Sequence, residues 1–276
     1  MSWWLVSLMA FACEYVDSTL GMGYGTTLTP LLLLMGYKPL EIVPVILLSE
    51  LVTGLLAGVF HHSQGNVNFR PNGWPSEGWS GLIRPRDYWR SLRKALPMDL
   101  KVALLLGGCS MIGAVASVIL AVNIPGRWLK LYIGALVLCM GLLVLVMRKR
   151  RLAFSVRRLT ILGLIASFNK GLSGGGYGPV VTAGQLLCGV QGRNAVAITS
   201  LAEGLTCLVG LIAYLVAGND PTGWKLVPAI MLGAVLSVPL SARSVRRIRT
   251  DLLTLAIAGL TIVLGILTLV RTLTAG

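Results

Sequence analysis

The chain has 276 residues, of which 55% are hydrophobic and only 12% are charged. Several apolar runs reach the roughly 20 residues that a helix needs to cross about 30 Å of hydrocarbon, which predicts an all-α polytopic membrane protein. The net charge of +14 would suggest nucleic-acid binding in a soluble protein, but 17 of the 24 Lys and Arg fall in three stretches, 70–101, 148–158 and 243–249. Such stretches face the cytoplasm under the positive-inside rule, so we expect anionic lipid nearby and no nucleic-acid partner.

Residue types that support catalysis or metal binding are sparse. The five cysteines lie inside apolar runs without the spacing of metal ligands, and the two histidines, His61 and His62, are adjacent at a predicted helix end that we expect to be solvated. We therefore expect no enzyme, no metal site and no cofactor. The first apolar run has no positive segment before it and carries Glu14 and Asp17 towards its end, so we expect it to be retained.

The first half of the chain contains one broken element and three spans. Residues 3–20 predict a helix that ends at the glycine-rich stretch 21–25, and 26–35 predicts a half-helix that rises only about 15 Å. A polar connection, 63–98, predicts a cytoplasmic loop after the first span. The predicted spans are 39–62, 101–122 and 128–147.

The second half repeats this order. Positions 21–54 and 174–207 agree at 12 of 34 places when they are aligned without a gap at an offset of 153 residues. The agreement includes a glycine-tyrosine-glycine sequence in each break, and it indicates an internal duplication with halves 1–150 and 151–276. The second copy predicts a broken element at 157–189 and spans at 192–217, 224–241 and 251–271.

The two copies are predicted to be inverted repeats. Three basic loops share the cytoplasmic face only if the turn at 218–223 lies on the other face; the loops are 63–100, 148–158 and 242–250. An odd number of membrane crossings must then separate the loop 148–158 from that turn. We expect each broken element to enter and leave by one face as a hairpin of half-helices; two full crossings are the alternative. Inverted repeats of this kind place a substrate site at the membrane midplane, where the broken helices meet.

The half-helix that begins after each glycine break predicts an anion site. Its first N–H groups are unpaired and carry the positive end of the helix dipole. The alternative is that the glycines only let helices pack closely, but the same tyrosine in both copies favours a site. The candidate contacts are Tyr24, Gly25, Thr26 and Thr27 from the first copy and Gly176, Tyr177, Gly178 and Val180 from the second.

Three charged residues inside apolar sequence are further candidates. Lys170 precedes the second break, where a lysine costs roughly 2.5–3.5 kcal/mol unless it faces an anion, a carboxylate or a cavity. The alternative is that Lys170 extends to the membrane interface. Glu50 and Glu203 occupy equivalent positions in the two copies, each with a threonine three residues later on the same helix face. Each glutamate is either a proton carrier or a structural acceptor for N–H groups of the broken element.

The duplicated pattern resembles the TauE/SafE family of membrane permeases, described as sulfite and organosulfonate exporters. The resemblance is strongest at 17–58 and 167–215, and the three-glycine run of the family corresponds to residues 174–176. It implies a secondary transporter of small sulfur oxyanions in the bacterial plasma membrane, with export coupled to the proton gradient, and it is compatible with a homo-oligomer. The first copy departs from the three-glycine run, so the resemblance does not identify which sulfur anion is carried. The alternative function is a channel or uptake permease for another small anion.

Overall fold

The computed structural model describes residues 3–69, 97–147, 156–187, 190, 192–218, 222–245 and 250–274. These residues form ten α-helices and one short 3-10 helix, Thr222–Leu226. Most of the predicted loop 63–98 lies outside the described residues, as do parts of the basic stretches 148–158 and 242–250. The α-helices are α1 (Trp3–Leu20), α2 (Tyr24–Leu34), α3 (Pro39–Ser63), α4 (Met98–Asn123), α5 (Gly126–Met147), α6 (Val156–Ser173), α7 (Tyr177–Leu187), α8 (Gly192–Val216), α9 (Val227–Ser244) and α10 (Thr250–Thr274).

Six of the described helical segments are long and apolar enough to cross a membrane. They fall on α3, α4, α5, α8, α9 and α10, so the predicted all-helical polytopic fold is confirmed. Large apolar side chains cover their outer faces, as at Ile112, Ile119 and Val263, which are 73%, 59% and 52% exposed. Exposed apolar faces of this extent fit contact with lipid rather than with water.

Each repeat begins with two helices separated by a glycine break. The second helix of each pair, α2 or α7, has 11 residues and rises only about 16 Å, so it cannot cross the hydrocarbon alone. The chain turns at Gly21 and Gly174, where φ is 71° in both copies, and their N–H groups donate to the carbonyl oxygens of Asp17 and Lys170. Glycine adopts this left-handed conformation at the end of a helix without steric cost. The predicted interruptions are therefore present in both copies.

The helix contacts follow the duplication. At the offset of 153 residues, α1, α2 and α3 correspond to α6, α7 and α8, and α4 and α5 correspond to α9 and α10 in chain order. The helix α1 packs on α9 and its counterpart α6 packs on α4, while α3 packs on its counterpart α8 and α5 on its counterpart α10. The halves therefore interlock. Their opposite orientation in a membrane and the boundary at residue 150 stay predictions.

The pair formed by α3 and α8 approaches closely at two glycines. A Cβ atom on Gly54 would lie 2.6 Å from the carbonyl oxygen of Ser200 and 3.0 Å from the Cα atom of Gly204. Small residues permit such close contact between helices that cross a membrane. Because Glu50 lies one turn before Gly54 and Glu203 immediately precedes Gly204, this contact brings the two predicted glutamates close to each other.

Candidate functional site

The two glycine breaks lie directly against each other. A Cβ atom on Gly178 would lie 2.5 Å from the carbonyl oxygen of Gly21, and one on Gly25 would lie 2.8 Å from the Cα atom of Gly175. These contacts join the backbones of the two repeats, and we call this region the junction. The meeting of the broken helices that the duplication predicts is therefore present.

The eight predicted contact residues of the breaks are all buried at the junction. The hydroxyl of Tyr24 shares a 2.8 Å hydrogen bond with the hydroxyl of Ser49 on α3. The hydroxyl of Tyr177 shares a 3.3 Å hydrogen bond with that of Ser110 on α4. Each tyrosine thus connects its half-helix to a long helix, α3 in the first copy and α4 in the second. Contact of the eight residues with a substrate stays a prediction.

The N-terminus of α2 has an anionic partner within the chain. The backbone N–H of Tyr24 donates to Asp17 Oδ1 at 3.2 Å. The sequence pattern predicts that a substrate anion binds the unpaired N–H groups at the positive end of this helix dipole. A carboxylate of the chain itself accepts one of those hydrogen bonds here. Asp17 therefore occupies part of the predicted anion site.

Lys170 lies buried between two carboxyl groups. Its Nζ atom is 2.7 Å from Glu203 Oε1 and also forms an ion pair with Glu50 Oε2, and its side chain is only 1% exposed. The lysine therefore faces carboxylates and does not extend to the interface. Since Glu50 belongs to the first repeat and Lys170 and Glu203 to the second, this ion-pair triad joins the two halves.

Two further carboxyl groups on α1, those of Glu14 and Asp17, are buried near the triad, and the sequence pattern did not assign them to the site. Glu14 accepts hydrogen bonds from Ser18 Oγ at 2.6 Å and from Thr53 Oγ1 at 3.1 Å. One signal could have identified Asp17, because it is the counterpart of Lys170 at the offset of 153 residues. Charged residues at equivalent places in two copies of a membrane repeat indicate a shared site.

The four carboxyl groups line one small cavity of about 10 Å³, which is room for about one water molecule. Together with Lys170 they make up what we call the charged centre. Four carboxylates and one ammonium would carry a formal charge of −3, and buried charges are costly unless they are paired or neutralised. Within the described part of the chain, Glu50 Oε1 is buried without a hydrogen-bond partner. The charged centre therefore holds more carboxyl groups than its one ammonium can pair.

The expectation of a solvated end for the histidine pair is wrong for His61. This side chain is wholly buried, with Nε2 2.9 Å from the carbonyl oxygen of Ser18 and Nδ1 3.1 Å from Asn66 Nδ2. The end of α1 covers this end of α3, which the sequence of α3 alone does not reveal. His62 is partly exposed.

Comparison with known proteins now identifies the family. The family profile described as Sulfite exporter TauE/SafE matches residues 6–76 and 87–268, which include both breaks and the charged centre. The chain belongs to the TauE/SafE family. This TauE/SafE protein is also similar to the probable membrane transporter protein YtnM of Bacillus subtilis (strain 168), with 26% identity over 269 residues that cover 94% of this chain and 79% of that protein. No solved structure gives a significant match.

Family membership confirms the predicted class of protein. A TauE/SafE protein with six candidate spans is an integral membrane protein with a transport role, and this role implies a small-molecule substrate and a surrounding bilayer. It is also consistent with the prediction that the chain is not an enzyme. The charged centre places buried ionisable groups between the two repeats, and a role of these groups in transport stays a prediction.

Proposed function

We propose that this protein is a secondary transporter of a small sulfur oxyanion, sulfite or an organosulfonate, in which Lys170 contacts the anion and Glu50 and Glu203 exchange protons. One observation carries the proposal, namely a buried ammonium that lies between carboxylates from opposite halves, with Nζ 2.7 Å from Glu203 Oε1. The carboxylates hold the position beside the cation that an oxyanion would take. The sulfur chemistry is supported by the description of the family.

Two of the three N–H groups of the Lys170 ammonium already face carboxylates, and we propose that an oxyanion binds there by displacing one of them. A buried carboxylate that loses its partner costs about 3–5 kcal/mol, and a bound proton removes that charge. The neighbouring carboxyl groups of Glu14 and Asp17 add to the repulsion that an entering anion meets. We therefore propose that the anion binds together with at least one proton.

If the anion and the proton bind together, they also cross the membrane in the same direction. A proton gradient directed inward would therefore drive uptake of the anion. Export would then be driven by the gradient of the anion itself. This scheme differs from the proton-driven export that the family resemblance implies, and proton uptake or release on anion binding distinguishes the two.

The junction favours a transporter over an open channel. Its backbone contacts leave no space for an oxyanion between Gly178 and Gly21, so passage requires the two breaks to separate. Alternation between packed and separated breaks is the behaviour expected of a repeat-based transporter. The eight predicted contact residues would line the opening that separation creates.

The charge distribution supports an orientation in the bacterial plasma membrane. We place the loops 63–100, 148–158 and 242–250 on the cytoplasmic side, because they carry most of the Lys and Arg. The helix α5 ends at one of these loops and α10 begins at another. The start of α5 and the end of α10 then lie at the opposite face.

Flux measurements on proteoliposomes test the proposed function. Vesicles that contain the protein are loaded with radiolabelled sulfite or methanesulfonate and a pH-sensitive dye, and movement of anion and proton is followed together. We expect anion flux with proton movement in the same direction, a loss of flux in Lys170→Met, and wild-type flux in Lys225→Gln, which removes an exposed cation far from the triad in sequence. The excess of carboxyl groups favours cation transport as the second candidate. Flux of Na⁺ without flux of either anion would replace the proposal by that candidate.

A further inference from the structure

A second cavity, of about 330 Å³, lies at the end of the helical bundle, apart from the charged centre. It is formed where the C-terminal ends of α2 and α10 meet the first turns of α5. Three cationic side chains line it, those of Arg127, Lys130 and Arg271. We call it the basic cavity. Its volume lies at the lower end of the roughly 300–1,000 Å³ that small-molecule sites occupy.

The cations of the basic cavity are available to a ligand. Among the described residues, none of the three forms an ion pair with an aspartate or glutamate. Arg127 and Arg271 are exposed and Lys130 is half-buried. Arg271 Nη1 donates to the carbonyl oxygen of Leu34, the last residue of α2, which holds the guanidinium at the cavity. The remaining N–H groups of a guanidinium can bind an oxyanion in bidentate fashion.

The other polar side chains of the cavity do not supply donors. Thr268 Oγ1 donates to the carbonyl oxygen of Leu264 at 2.8 Å, and Thr272 Oγ1 donates to that of Thr268 at 2.7 Å. Both hydroxyl protons are thus used inside α10. Recognition in the basic cavity therefore depends on positive charge, which selects for anions.

The position of the cavity makes its charge unusual. The helix α5 leads from the cavity to the basic stretch 148–158, and α10 leads to it from the basic stretch 243–249. In the orientation proposed above, the cavity lies at the non-cytoplasmic face, where the positive-inside rule disfavours Lys and Arg. Trp128, which is 66% exposed, lies between two of the cations in sequence and fits the depth of the lipid headgroups. A bound anion explains cations that the rule disfavours.

We propose that the basic cavity binds an oxyanion group, a sulfite, sulfonate or phosphate, at the non-cytoplasmic face. Two sources supply this chemistry. One is a free sulfur oxyanion at the end of the transport path, which rests on the proposed function. The other is the phosphate of an anionic lipid headgroup, which does not.

Two binding measurements on purified protein distinguish the sources. Calorimetric titration with inorganic sulfate in an uncharged detergent measures binding of a free oxyanion. Native mass spectrometry of protein from phosphatidylglycerol nanodiscs measures retained anionic lipid. Both are made on Lys130→Gln, on Arg271→Gln, and on Lys225→Gln as the control that removes an exposed cation outside the cavity. The sulfate titration is repeated with Lys170→Met, so that a site at the charged centre and one in the basic cavity are resolved separately.

Each outcome decides the inference. Sulfate affinity that falls at least tenfold in Lys130→Gln and Arg271→Gln, but not in Lys225→Gln, supports binding of a free oxyanion. A loss of retained phosphatidylglycerol in the same two variants supports the headgroup. Variants that match Lys225→Gln in both measurements overturn the inference. If sulfate binding responds to Lys170→Met alone, a free oxyanion in the basic cavity is refuted, and retention of phosphatidylglycerol alone decides the inference. If sulfate binding responds to the cavity variants alone, the inference is supported, and the flux measurements decide the proposed function separately.

Discussion

Replacement of Lys170 by Met tests the ion-pair triad directly. Methionine preserves most of the length and the apolar surface of the side chain but removes the ammonium, so Glu50 and Glu203 lose the cation that both of them contact. At neutral pH the variant must either keep unpaired carboxylates in the interior or bind protons to them. Both outcomes lower the stability of the folded protein relative to wild type.

The expected magnitude follows from burial. The lysine side chain is 1% exposed and those of the two glutamates are 4% and 6% exposed, so water does little to screen the remaining charges. Breaking a buried ion pair from one side costs about 3–5 kcal/mol. A loss of this size lowers the melting temperature by on the order of 10 °C. The difference from wild type should shrink as the pH falls, because protonated carboxyl groups no longer need the cation.

A thiol-reactive fluorophore provides the assay on detergent-purified protein. Cys13 and Cys207 are buried and become reactive on unfolding, so the rise in dye signal above the baseline from the exposed Cys139 and the half-buried Cys109 reports the melting temperature. The matched control carries Glu50→Gln and Glu203→Gln in addition to Lys170→Met, which removes the charges together, and it should recover most of the lost stability. A melting temperature of Lys170→Met equal to that of wild type at neutral pH would refute the ion-pair triad. Failure of the charge-free control to recover would show that packing, and not charge, makes Lys170 necessary.

Three further predictions test the site. If the glutamates carry protons, Glu50→Gln or Glu203→Gln should weaken the pH dependence of transport. If they are structural acceptors, the same variants should lower expression and melting temperature at an unchanged pH profile. A variant that changes neither the pH profile nor the stability contradicts both roles. Gly178→Ala should stop transport and lower the melting temperature, because its Cβ would lie 2.5 Å from a backbone oxygen across the junction. Gly108→Ala, with open space around it, should change neither transport nor melting temperature. Equal effects of the two variants would argue against the junction. Methanesulfonate, which does not itself titrate near neutral pH, should cause proton uptake by lightly buffered protein, and proton release would exclude joint binding.

Local sequence was sufficient to predict the helices and their interruptions. An apolar run of about 20 residues has one stable form in hydrocarbon, because only a helix satisfies its backbone hydrogen bonds within one segment. The six spans followed from this rule and are present in the fold. The breaks followed from glycines that recur at one offset, and φ is 71° at both Gly21 and Gly174. Each of these features depends on residues close together in the chain.

The glycines of the junction show where local reasoning ends. Gly25 and Gly178 do not have positive φ, in contrast to Gly21 and Gly174. They are required because a Cβ atom would meet the backbone of the other repeat. A glycine that the chain needs for its own conformation and one that it needs for a neighbour look the same in sequence, so only the packed structure separates them.

The composition of the charged centre depended on the tertiary structure in the same way. An acidic residue in an apolar helix can face a cation, a cavity, another carboxyl group or the interface, and no local pattern selects among these. The sequence predicted that Lys170 needs a partner, but the partners come from α3 and α8, which are far from it in the chain. Glu14 and Asp17 join the centre because α1 packs beside these helices. The energy of a buried charge depends on every group within a few ångströms, and that neighbourhood exists only after the two repeats have packed together.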